Sequence, residues 1–482
     1  PFKPATFDQT MAMPVPGRET AGTWREPPRP VELVDRTRPE NKWMDKLRMQ
    51  NVNLGDGASF YSDDAKRRKY VEESVRQGYN AFMLHGNLCR HLQAEGHTAI
   101  LEREIDKFVK DAHRHDIKFF DHMDVTLAWA NHYGFRALIE LLDVAMLDIY
   151  DNLPTYLLCL ENPKWKKHFF DYLRQKAQDG VDGFQLDELM YWWHGCSCGH
   201  CRSKFAKETG WQFPLDETDP TCRYQAKTRL YNRWTAWQFV NTTNWRVDLR
   251  RHLKDVNPNI FMSTYSTYEG QVGRRCLLGS FLETARTMSM LGTEVMQQDV
   301  MRCSRPFMSL ARVKNVFKKA YGVPSWNWFY NSSYANECFA FAVCNMTGEV
   351  PFLTGDWLGA RYDPAFANPV EWSSKSRPME VDGSFSVAEV GLFFSTTSCH
   401  LNEGDDYTPE LFGLAQELET MHVPYEFFAE PNCRIRDLGK YKVVFIGEAQ
   451  CLSDADITAL RAFRAAGGRV VTSGGSERRD RA

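Results

Sequence analysis

The sequence predicts an α/β protein in which a (β/α)8 TIM barrel is followed by a smaller α/β domain of flavodoxin-like type. The 482 residues are too many for one compact core. Short strand-like runs alternate with longer helical stretches, which is typical of βα units around a parallel sheet. An aperiodic stretch with three prolines interrupts the alternation late in the chain. The expected organisation is an extended lead-in (1–45), the barrel (46–359), a linker (360–385) and the second domain (386–482).

Eight runs before residue 360 have strand character. In chain order they are Asn51–Gly55, Asn80–His85, Ile117–Met123, Gly183–Asp187, Ile260–Tyr265, Gly279–Glu283, Pro324–Phe329 and Val350–Gly355. For the sixth strand, the apolar run Glu294-Val295-Met296 is an alternative. The helical stretches between the strands include Asp64–Gln77, Ala99–His113, Pro163–Asp179, Arg223–Leu253 and Phe307–Ala320. Asn162 before Pro163 is a helix start signal, because proline fits the first helical position, where its missing N–H needs no partner.

The second domain continues the alternation of strands and helices. Its predicted elements are a strand at Val387–Phe394, a helix at Glu410–Met421, a strand at Tyr441–Gly447, a helix at Asp454–Ala466 and a strand at Arg469–Thr472. The Gly467-Gly468 pair ends the last helix before a parallel strand. Since a domain of this kind normally continues beyond such a strand, we expect it to be truncated here.

Charge and hydropathy argue against two classes of partner. The formal net charge is −3, and basic residues are interspersed with acidic ones, so neither nucleic acid nor an anionic membrane is an expected partner. No run of 18 apolar residues predicts a membrane span. No secretory signal opens the chain at Pro1, so a signal was either removed or never present, and the compartment is not indicated.

Aromatic residues make up 13% of the chain, with 14 Trp, 19 Tyr and 31 Phe. Sugar rings present flat C–H faces that stack on such side chains, which favours an oligo- or polysaccharide substrate. Burial in a large barrel core is the alternative interpretation for any one of them.

Polar residues at the carboxyl ends of barrel strands are the first candidates for chemistry, because active sites of TIM barrels lie on that face. The candidates are rich in carboxylates: Asp56, His85, Asp121, His122, Asp124, Asp187, Glu188, Glu283 and Asp356. Cleavage of a glycosidic bond requires two carboxyl groups, one that protonates the leaving oxygen and one that attacks the sugar or activates water. The sequence therefore predicts a glycoside hydrolase.

Asp187 and Glu188 are the central catalytic candidates, since they follow a strand-like run and precede an aromatic segment. Neighbouring residues on a strand point to opposite faces, so we expect one to be catalytic and the other supportive. The alternative is that both residues are solvated acids in a loop. Glu283, at the end of the predicted sixth strand, is the expected second carboxylate. Glu269 and Glu294 are rivals in segments that resemble loops.

Two further groups are expected to bind substrate. The polar group, His85, Asp121, His122 and Asp124 with Asp356, is expected to hold sugar hydroxyls; metal binding is the alternative, but no His-x-x-x-His spacing accompanies these residues. The aromatic group, Trp193, Trp326, Trp328 and Tyr330, is expected to stack on sugar rings. Core packing is the alternative for the last three, which alternate along strand seven.

A cysteine cluster follows strand four with C-x-C-x-x-C spacing, formed by Cys196, Cys198 and Cys201. Three such thiolates fit three corners of a tetrahedral zinc. Cys159 and Cys89 are candidates for the fourth ligand, ahead of His200. A disulfide is the alternative. Any metal is expected to be structural, because four protein ligands leave no position for water.

Together these residues resemble the β-galactosidases of glycoside hydrolase family 42 and a looser set of related glycosidases. In that family an Asn-Glu pair ends strand four, the Glu being the acid/base, and a C-x-C-x-x-C zinc cluster follows it and leads into a helix. Here Asp187-Glu188 stands in place of the pair, and the cysteines lead into Phe205. The tail from Tyr441 to Val471 is similar to the family's trimerisation domain. The resemblance implies a homo-oligomer, a trimer or a dimer.

The chain departs from the family pattern at two positions. Asp187 replaces the Asn, and strand seven, where the family has its nucleophilic Glu, contains no carboxylate. A second arrangement, similar to α-L-fucosidases and α-galactosidases, takes the nucleophile from a strand-four Asp. Asp187 would then be the nucleophile and Glu283 a candidate acid/base. The expected substrate is a galactoside or a fucoside, and a non-catalytic carbohydrate-binding or assembly protein is the rival class.

Overall fold

The computed structural model describes residues 41, 43–44, 47–53, 63–86, 88–92, 97–128, 141–149, 151–192, 195–211, 229–268, 281–295, 304–329, 334–353, 386–401, 407–449 and 451–473. Its first ten strands are β1 (Met49–Asn53), β2 (Ala81–His85), β3 (Lys118–Asp124), β4 (Ala145–Leu147), β5 (Pro154–Leu158), β6 (Gly183–Asp187), β7 (Phe261–Tyr268), β8 (Met290–Val295), β9 (Ser325–Phe329) and β10 (Val350–Leu353).

Eight of these strands form one parallel sheet in chain order, from β1 to β10 without β4 and β5. The two outer strands, β1 and β10, also contact each other, so the sheet curls into a barrel. The predicted TIM-barrel fold is therefore confirmed. Seven of the eight predicted barrel strands lie within a few residues of their observed bounds, and the strand that ends at Asp187 has the predicted bounds. No described helix is both long and apolar enough to cross a membrane.

The helices around this sheet are α1 (Asp64–Gln77), α2 (His97–His113), α3 (Pro163–Gln178), α4 (Gly199–Thr209), α5 (Arg229–Lys254), α6 (Phe281–Thr287), α7 (Ser304–Tyr321) and α8 (Tyr334–Thr347). The start of α3 is the one that its sequence predicts. Asn162 accepts hydrogen bonds from the backbone N–H groups of Lys164 and Trp165, and Pro163 occupies the first helical turn.

The predicted sixth strand is wrong. The segment from Phe281 to Thr287 is the helix α6, and the sixth barrel strand is β8. Phe281, Thr284 and Ala285 are buried at helical spacing, which a short apolar run does not reveal by itself. Gly292 makes β8 hard to recognise in the sequence, because glycine is unfavourable in strands. A Cβ atom at this position would lie 2.7 Å from the Trp326 ring, so the close packing of the two strands requires glycine here.

An antiparallel hairpin, β4–β5, is inserted between barrel strands β3 and β6, and the sequence did not predict it. One side of the hairpin packs on the chain after β3, through a β-bridge between Leu157 and Leu127. Cys159 follows β5 directly and is buried. The hairpin therefore brings this cysteine to the carboxyl-end face of the barrel.

A second parallel sheet follows, with strand order β12-β11-β13-β14. Its elements are β11 (Val390–Phe394), α9 (Thr396–Leu401), α10 (Tyr407–Thr420), β12 (Tyr425–Ala429), α11 (Ile435–Leu438), β13 (Val443–Gly447), α12 (Asp454–Ala465) and β14 (Arg469–Thr472). The order 2-1-3-4 is that of flavodoxin-like sheets. All elements predicted in this region are present, whereas β12 and the short helices α9 and α11 were not predicted. The linker lies outside the described residues, and the homo-oligomer stays a prediction.

A buried ion pair lies behind strand seven. Lys314 on α7 and Glu349 before β10 are fully buried, with Nζ and Oε1 2.9 Å apart. Asn327 donates to Glu349 at 2.8 Å, and Ser325 donates to it at 3.0 Å. Lys314 also donates to the carbonyl of Trp326 at 3.0 Å. The network fixes β9 and β10 from their outer side.

Replacing Lys314 with Met is expected to lower the free energy of unfolding by about 3 to 5 kcal/mol, because Glu349 would keep a buried charge without its cation. Chemical denaturation measures this. The matched control is Lys442→Met, which removes an exposed pair with Glu389 and should cost less than about 1 kcal/mol. A double variant, Lys314→Met with Glu349→Leu, should recover much of the loss. If Lys314→Met and Lys442→Met had equal free energies of unfolding, the buried pair would contribute no more than the exposed one.

Candidate active site at the carboxyl ends of the barrel strands

Asp187, the last residue of strand four, lies in a buried polar pair. Its Oδ2 is 2.8 Å from Nε2 of His122 on β3, and the side chains are 8% and 0% exposed. The backbone N–H of Glu188 donates to the other carboxyl oxygen, Oδ1, at 2.9 Å. β3 and β6 are adjacent in register, with Asp124 beside Asp187 and His122 beside Gln185. The structure thus brings together two of the predicted site residues from neighbouring strand ends.

Burial shifts both titrating groups of this pair towards their neutral forms. Desolvation raises the pKa of Asp187 to about 7, and the hydrogen bond from the Glu188 backbone only partly opposes it. Desolvation also lowers the pKa of His122 to about 3, so its ring is neutral near pH 7. A carboxyl group that holds its proton up to about pH 7 can act as a general acid at neutral pH.

Two aromatic neighbours surround His122. The ring of His85, at the end of β2, lies 5.3 Å from the His122 ring between centroids. The indole of Trp328 on β9 lies 4.4 Å from His85, edge to face, and 5.5 Å from His122. Burial is the main cause that lowers the pKa of His85, and the nearby His122 adds to it. These side chains form a largely neutral lining beside Asp187.

Glu188 has an unusual backbone conformation. Its φ is +46°, in the left-handed region that non-glycine residues rarely adopt. Thr126 holds this turn: its N–H donates to the Glu188 carbonyl at 3.2 Å, and its hydroxyl donates to the same oxygen. Strained backbone that neighbours hold in place is common at functional sites. Strand β6 ends at Asp187, so strand alternation does not fix the direction of the half-buried Glu188 side chain.

Asp124 and Asp121, both predicted to bind substrate, lie in different surroundings. Asp124, at the end of β3, is fully buried and accepts a hydrogen bond from the thiol of Cys89 at 3.2 Å. Asp121 faces away from the mouth, because it precedes His122 and alternate residues point to opposite faces. Its carboxylate is paired with the fully buried Arg90. Asp121 thus belongs to the barrel wall and cannot reach a sugar in the mouth.

Trp326 is also placed away from the mouth. It is fully buried two residues before Trp328, and its indole N–H donates to Ser263 at 2.9 Å. It packs in the lower barrel interior, so core packing is its role there. Trp328 is buried as well, but it contacts the two histidines of the site.

Glu283 does not lie at a strand end. It occupies the first turn of α6, and its carboxylate is 3.6 Å from Arg286 on the same helix. Burial raises its pKa, with Arg286 and Arg246 opposing. Glu283 was expected at the end of strand six. This prediction is wrong, because the segment is a helix and not a strand. A different acid, Glu294, is the one that lies on β8, in register with Trp328 of β9. Its segment resembles a loop in the sequence, but it was also the alternative for strand six, and the observed strand overlaps that alternative.

Five of the candidate residues lie outside the described residues: Asp56, Trp193, Glu269, Tyr330 and Asp356.

The cysteine cluster is complete and buried. Cys159, Cys196, Cys198 and Cys201 place their sulfur atoms within 4.8 Å of one another. The Cys159 sulfur lies 3.5 Å from those of Cys198 and Cys201 and 3.8 Å from that of Cys196. These distances exclude a disulfide, whose sulfur atoms are about 2.05 Å apart. A tetrahedral zinc with Zn–S bonds of about 2.3 Å has sulfur atoms roughly 3.8 Å apart, so the four thiols fit the metal.

Of the predicted fourth ligands, Cys159 joins the cluster, whereas Cys89 pairs with Asp124 and His200 is exposed on α4. The cluster connects the hairpin, which supplies Cys159, with the loop after β6 and the start of α4. Ser197, between two of the cysteines, donates to the carbonyl of Asp148 at 2.8 Å and so fastens the loop to the hairpin. The loop that follows the turn at Asp187 and Glu188 therefore packs against the hairpin and carries three of the four clustered thiols.

Comparisons with known proteins identify the fold. No family model matches the sequence, and no curated protein matches it. Solved structures are similar: a β-galactosidase from a Rahnella species is 13% identical, with a TM-score of 0.65 over 90% of this chain and 72% of that one. A β-galactosidase from Bacillus circulans is 14% identical, with a TM-score of 0.63 over 92% and 73%.

An exo-β-1,4-mannosidase from an Opitutaceae bacterium has a TM-score of 0.53 at 9% identity, over 90% of this chain and 79% of that one. Another neighbour, Gan42B from G. stearothermophilus, is described as a family 42 β-galactosidase and has a TM-score of 0.65 at 12% identity, over 90% of this chain and 72% of that one. The chain therefore has the fold of the family 42 glycoside hydrolases. At these identities the likeness concerns the fold, and the reaction is inferred from the site.

Proposed function

We propose that the protein is a glycoside hydrolase that cleaves O-glycosyl bonds at the carboxyl-end face of its barrel. The observation that supports this most is the buried pair of Asp187 and His122, in which a strand-end carboxyl group keeps its proton up to about pH 7. A raised pKa at this position suits protonation of a leaving oxygen. The neighbours in fold carry names of β-galactosidases and of a mannosidase, which favours a galactoside over a fucoside as the first substrate to test.

We assign Asp187 the role of general acid, because a nucleophilic carboxylate would need to be ionised at neutral pH. Glu294 and Glu188 are the candidates for the second carboxyl group. Glu294 lies on strand six in register with Trp328, and Glu188 follows Asp187 in a turn that Thr126 holds. The reverse assignment, with Asp187 as nucleophile, is the alternative that the experiments below distinguish.

The proposed metal is a structural zinc held by Cys159, Cys196, Cys198 and Cys201. Four thiolates are the donor set that structural zinc sites use, and their sulfur spacing fits a tetrahedron. When bound, zinc would supply a cross-link and no reaction chemistry, because its four positions are filled by protein. The residues of this site would hold the turn after β6 against the hairpin.

The test of the proposed activity is a panel of aryl glycosides that includes β-galactosides, α- and β-fucosides, arabinosides and β-mannosides. The expected result is hydrolysis of one sugar class, with galactoside first. Product stereochemistry followed by NMR then reports whether the anomeric configuration is retained. If the wild-type protein binds sugars but releases none, the non-catalytic carbohydrate-binding class replaces the proposal.

The pH profile tests the role of Asp187. Because burial raises its pKa to about 7, the proton needed for general acid catalysis is present below pH 7 and is lost above it. We therefore expect kcat/KM to fall on the alkaline side with an apparent pKa of about 7. Asp187→Asn, assayed on the same substrate as the wild type, should lack this alkaline limb in its residual activity. An acidic limb near 7 would instead indicate that Asp187 acts as a carboxylate.

A further inference from the structure

The hairpin β4–β5 reaches the immediate surroundings of Glu188 through a ladder of backbone hydrogen bonds. The N–H of Leu158 donates to the Thr126 carbonyl at 2.6 Å, and the N–H of Ala128 donates to the Tyr156 carbonyl at 3.1 Å. Thr126 in turn binds Glu188. Hydrogen-bonded strands lie about 4.8 Å apart, so the backbone of Tyr156 is roughly 10 Å from that of Glu188.

Tyr156 and Trp192 form an aromatic pair at this position. Their ring centroids are 5.1 Å apart and their planes are inclined by 84°. Tyr156 is 44% exposed, whereas its neighbours Thr155 and Leu157 are buried. The indole N–H of Trp192 donates to Asp148 on the hairpin, which fixes the orientation of the ring. The pair is thus held in one orientation by its own contacts, and Tyr156 is partly open to solvent.

This combination is suited to a sugar ring. The apolar C–H face of a pyranose stacks on an aromatic ring, and its hydroxyl edge needs polar partners. The Tyr156 hydroxyl and the Asp148 carboxylate supply polar groups beside the rings. Fixing the rings in advance reduces the entropy lost on binding. An exposed single tyrosine is ordinary in folded proteins. Here the exposed Tyr156 ring is held by Trp192, which itself packs against the main core cluster of the barrel.

We propose that Tyr156 and Trp192 form a subsite for a sugar residue on the leaving-group side of the scissile bond, which rests on the proposed glycosidase function. The side follows from the chemistry at β6. In the proposed mechanism Asp187 protonates the leaving oxygen, so the leaving group departs beside this strand end, near the turn at Glu188 to which the hydrogen-bond ladder connects Tyr156. The subsite would give the protein a preference for di- and oligosaccharides over glycosides with small leaving groups.

The test compares two substrates that differ only in the leaving group. β-Galactosyl fluoride has no sugar there, whereas β-1,4-galactobiose has one; the mannose equivalents replace them if the panel identifies a mannosidase. Tyr156→Ala is expected to lower kcat/KM for the disaccharide roughly five- to tenfold, mainly through KM, and to leave the fluoride within about twofold. Trp192→Phe, which keeps a ring but loses the bond to Asp148, should show a smaller selective loss.

Leu153→Ala is the matched control, because Leu153 is 61% exposed on the same hairpin and belongs to no proposed site. Leu153→Ala should leave kcat/KM unchanged for both substrates. Equal losses on both substrates, or none, in Tyr156→Ala would overturn the subsite while leaving the glycosidase function intact. If the wild-type protein hydrolyses neither substrate, calorimetry with β-1,4-galactobiose still decides. Weaker binding to Tyr156→Ala than to wild type supports the subsite, and equal or undetectable binding to both contradicts it.

Discussion

Replacing Asp187 with Asn is expected to lower kcat on a glycoside with a poor leaving group by about 10^3- to 10^4-fold, since Asn has the same shape but no proton to transfer. Stability should not fall, because burial opposes ionisation of this carboxyl group and the amide removes that conflict. Steady-state kinetics on an alkyl and a dinitrophenyl glycoside, combined with thermal unfolding, measure both effects. The dinitrophenyl substrate should lose much less, because its leaving group needs no acid.

Azide rescue separates the two mechanisms. In a retaining enzyme, a variant without its acid/base forms a glycosyl azide of retained configuration, whereas a variant without its nucleophile forms the inverted one. Glu188→Gln and Glu294→Gln should be tested beside Asp187→Asn, and one of them should inactivate the protein as severely. Asp171→Asn, at an exposed acid on α3, is the control and should be fully active. Full activity of Asp187→Asn on the alkyl glycoside would end the assignment.

Replacing Cys201 with Ser is expected to abolish stoichiometric zinc binding and to lower the free energy of unfolding by about 5 kcal/mol or more, because a structural metal contributes its binding free energy to folding. We expect one zinc per chain in the wild type, measured by elemental analysis, and a lower unfolding temperature after removal of the metal by a strong chelator. The hydroxyl of Ser replaces a thiolate with a far weaker zinc ligand.

Cys451→Ser is the control for this experiment, because Cys451 is a half-buried thiol outside the cluster. It should keep both the zinc and the stability of the wild type. Wild-type protein that contains no metal and unfolds at the same temperature with and without chelator would show that the four thiols are only packed together.

Most of the fold follows from hydrophobic periodicity, and the exceptions have physical causes. Strand four can be recognised because Gly183-Phe184-Gln185-Leu186 is a short strand-like run that leads directly into the acids Asp187 and Glu188. Strand six is difficult to recognise in the sequence, because Gly292 lowers its strand propensity. The glycine makes room for the Trp326 ring, and this contact exists only in the closed barrel. The hairpin β4–β5 escaped prediction because its first strand has three residues, too few to show alternation.

The site was predictable in part. The expectation that active-site residues lie at the carboxyl ends of barrel strands identified His85, His122 and Asp187, and the structure brings these three together. The same expectation could not tell whether Asp121 or His122 faces the barrel interior. Alternate residues of a strand face opposite sides, and which side is the interior depends on the register of all the strands. Cys159 was a candidate only by its residue type, since the hairpin that carries it to the other three cysteines is a tertiary feature. Glu294 belonged to the alternative assignment of strand six, but the sequence alone could not choose between that run and Gly279–Glu283.

The thiol cluster also bears on the order in which the chain folds. Cys159 and Cys201 are 42 positions apart, and the segment between them contains α3, β6 and the start of α4. The entropy lost on closing a loop rises only slowly with its length, so a metal that binds early would enclose this βα unit at modest cost. Strand four would then meet its neighbours as part of a preassembled unit, with fewer distant contacts left to form. With the proposed metal, the loop between Cys159 and Cys201 would thus close before the barrel does.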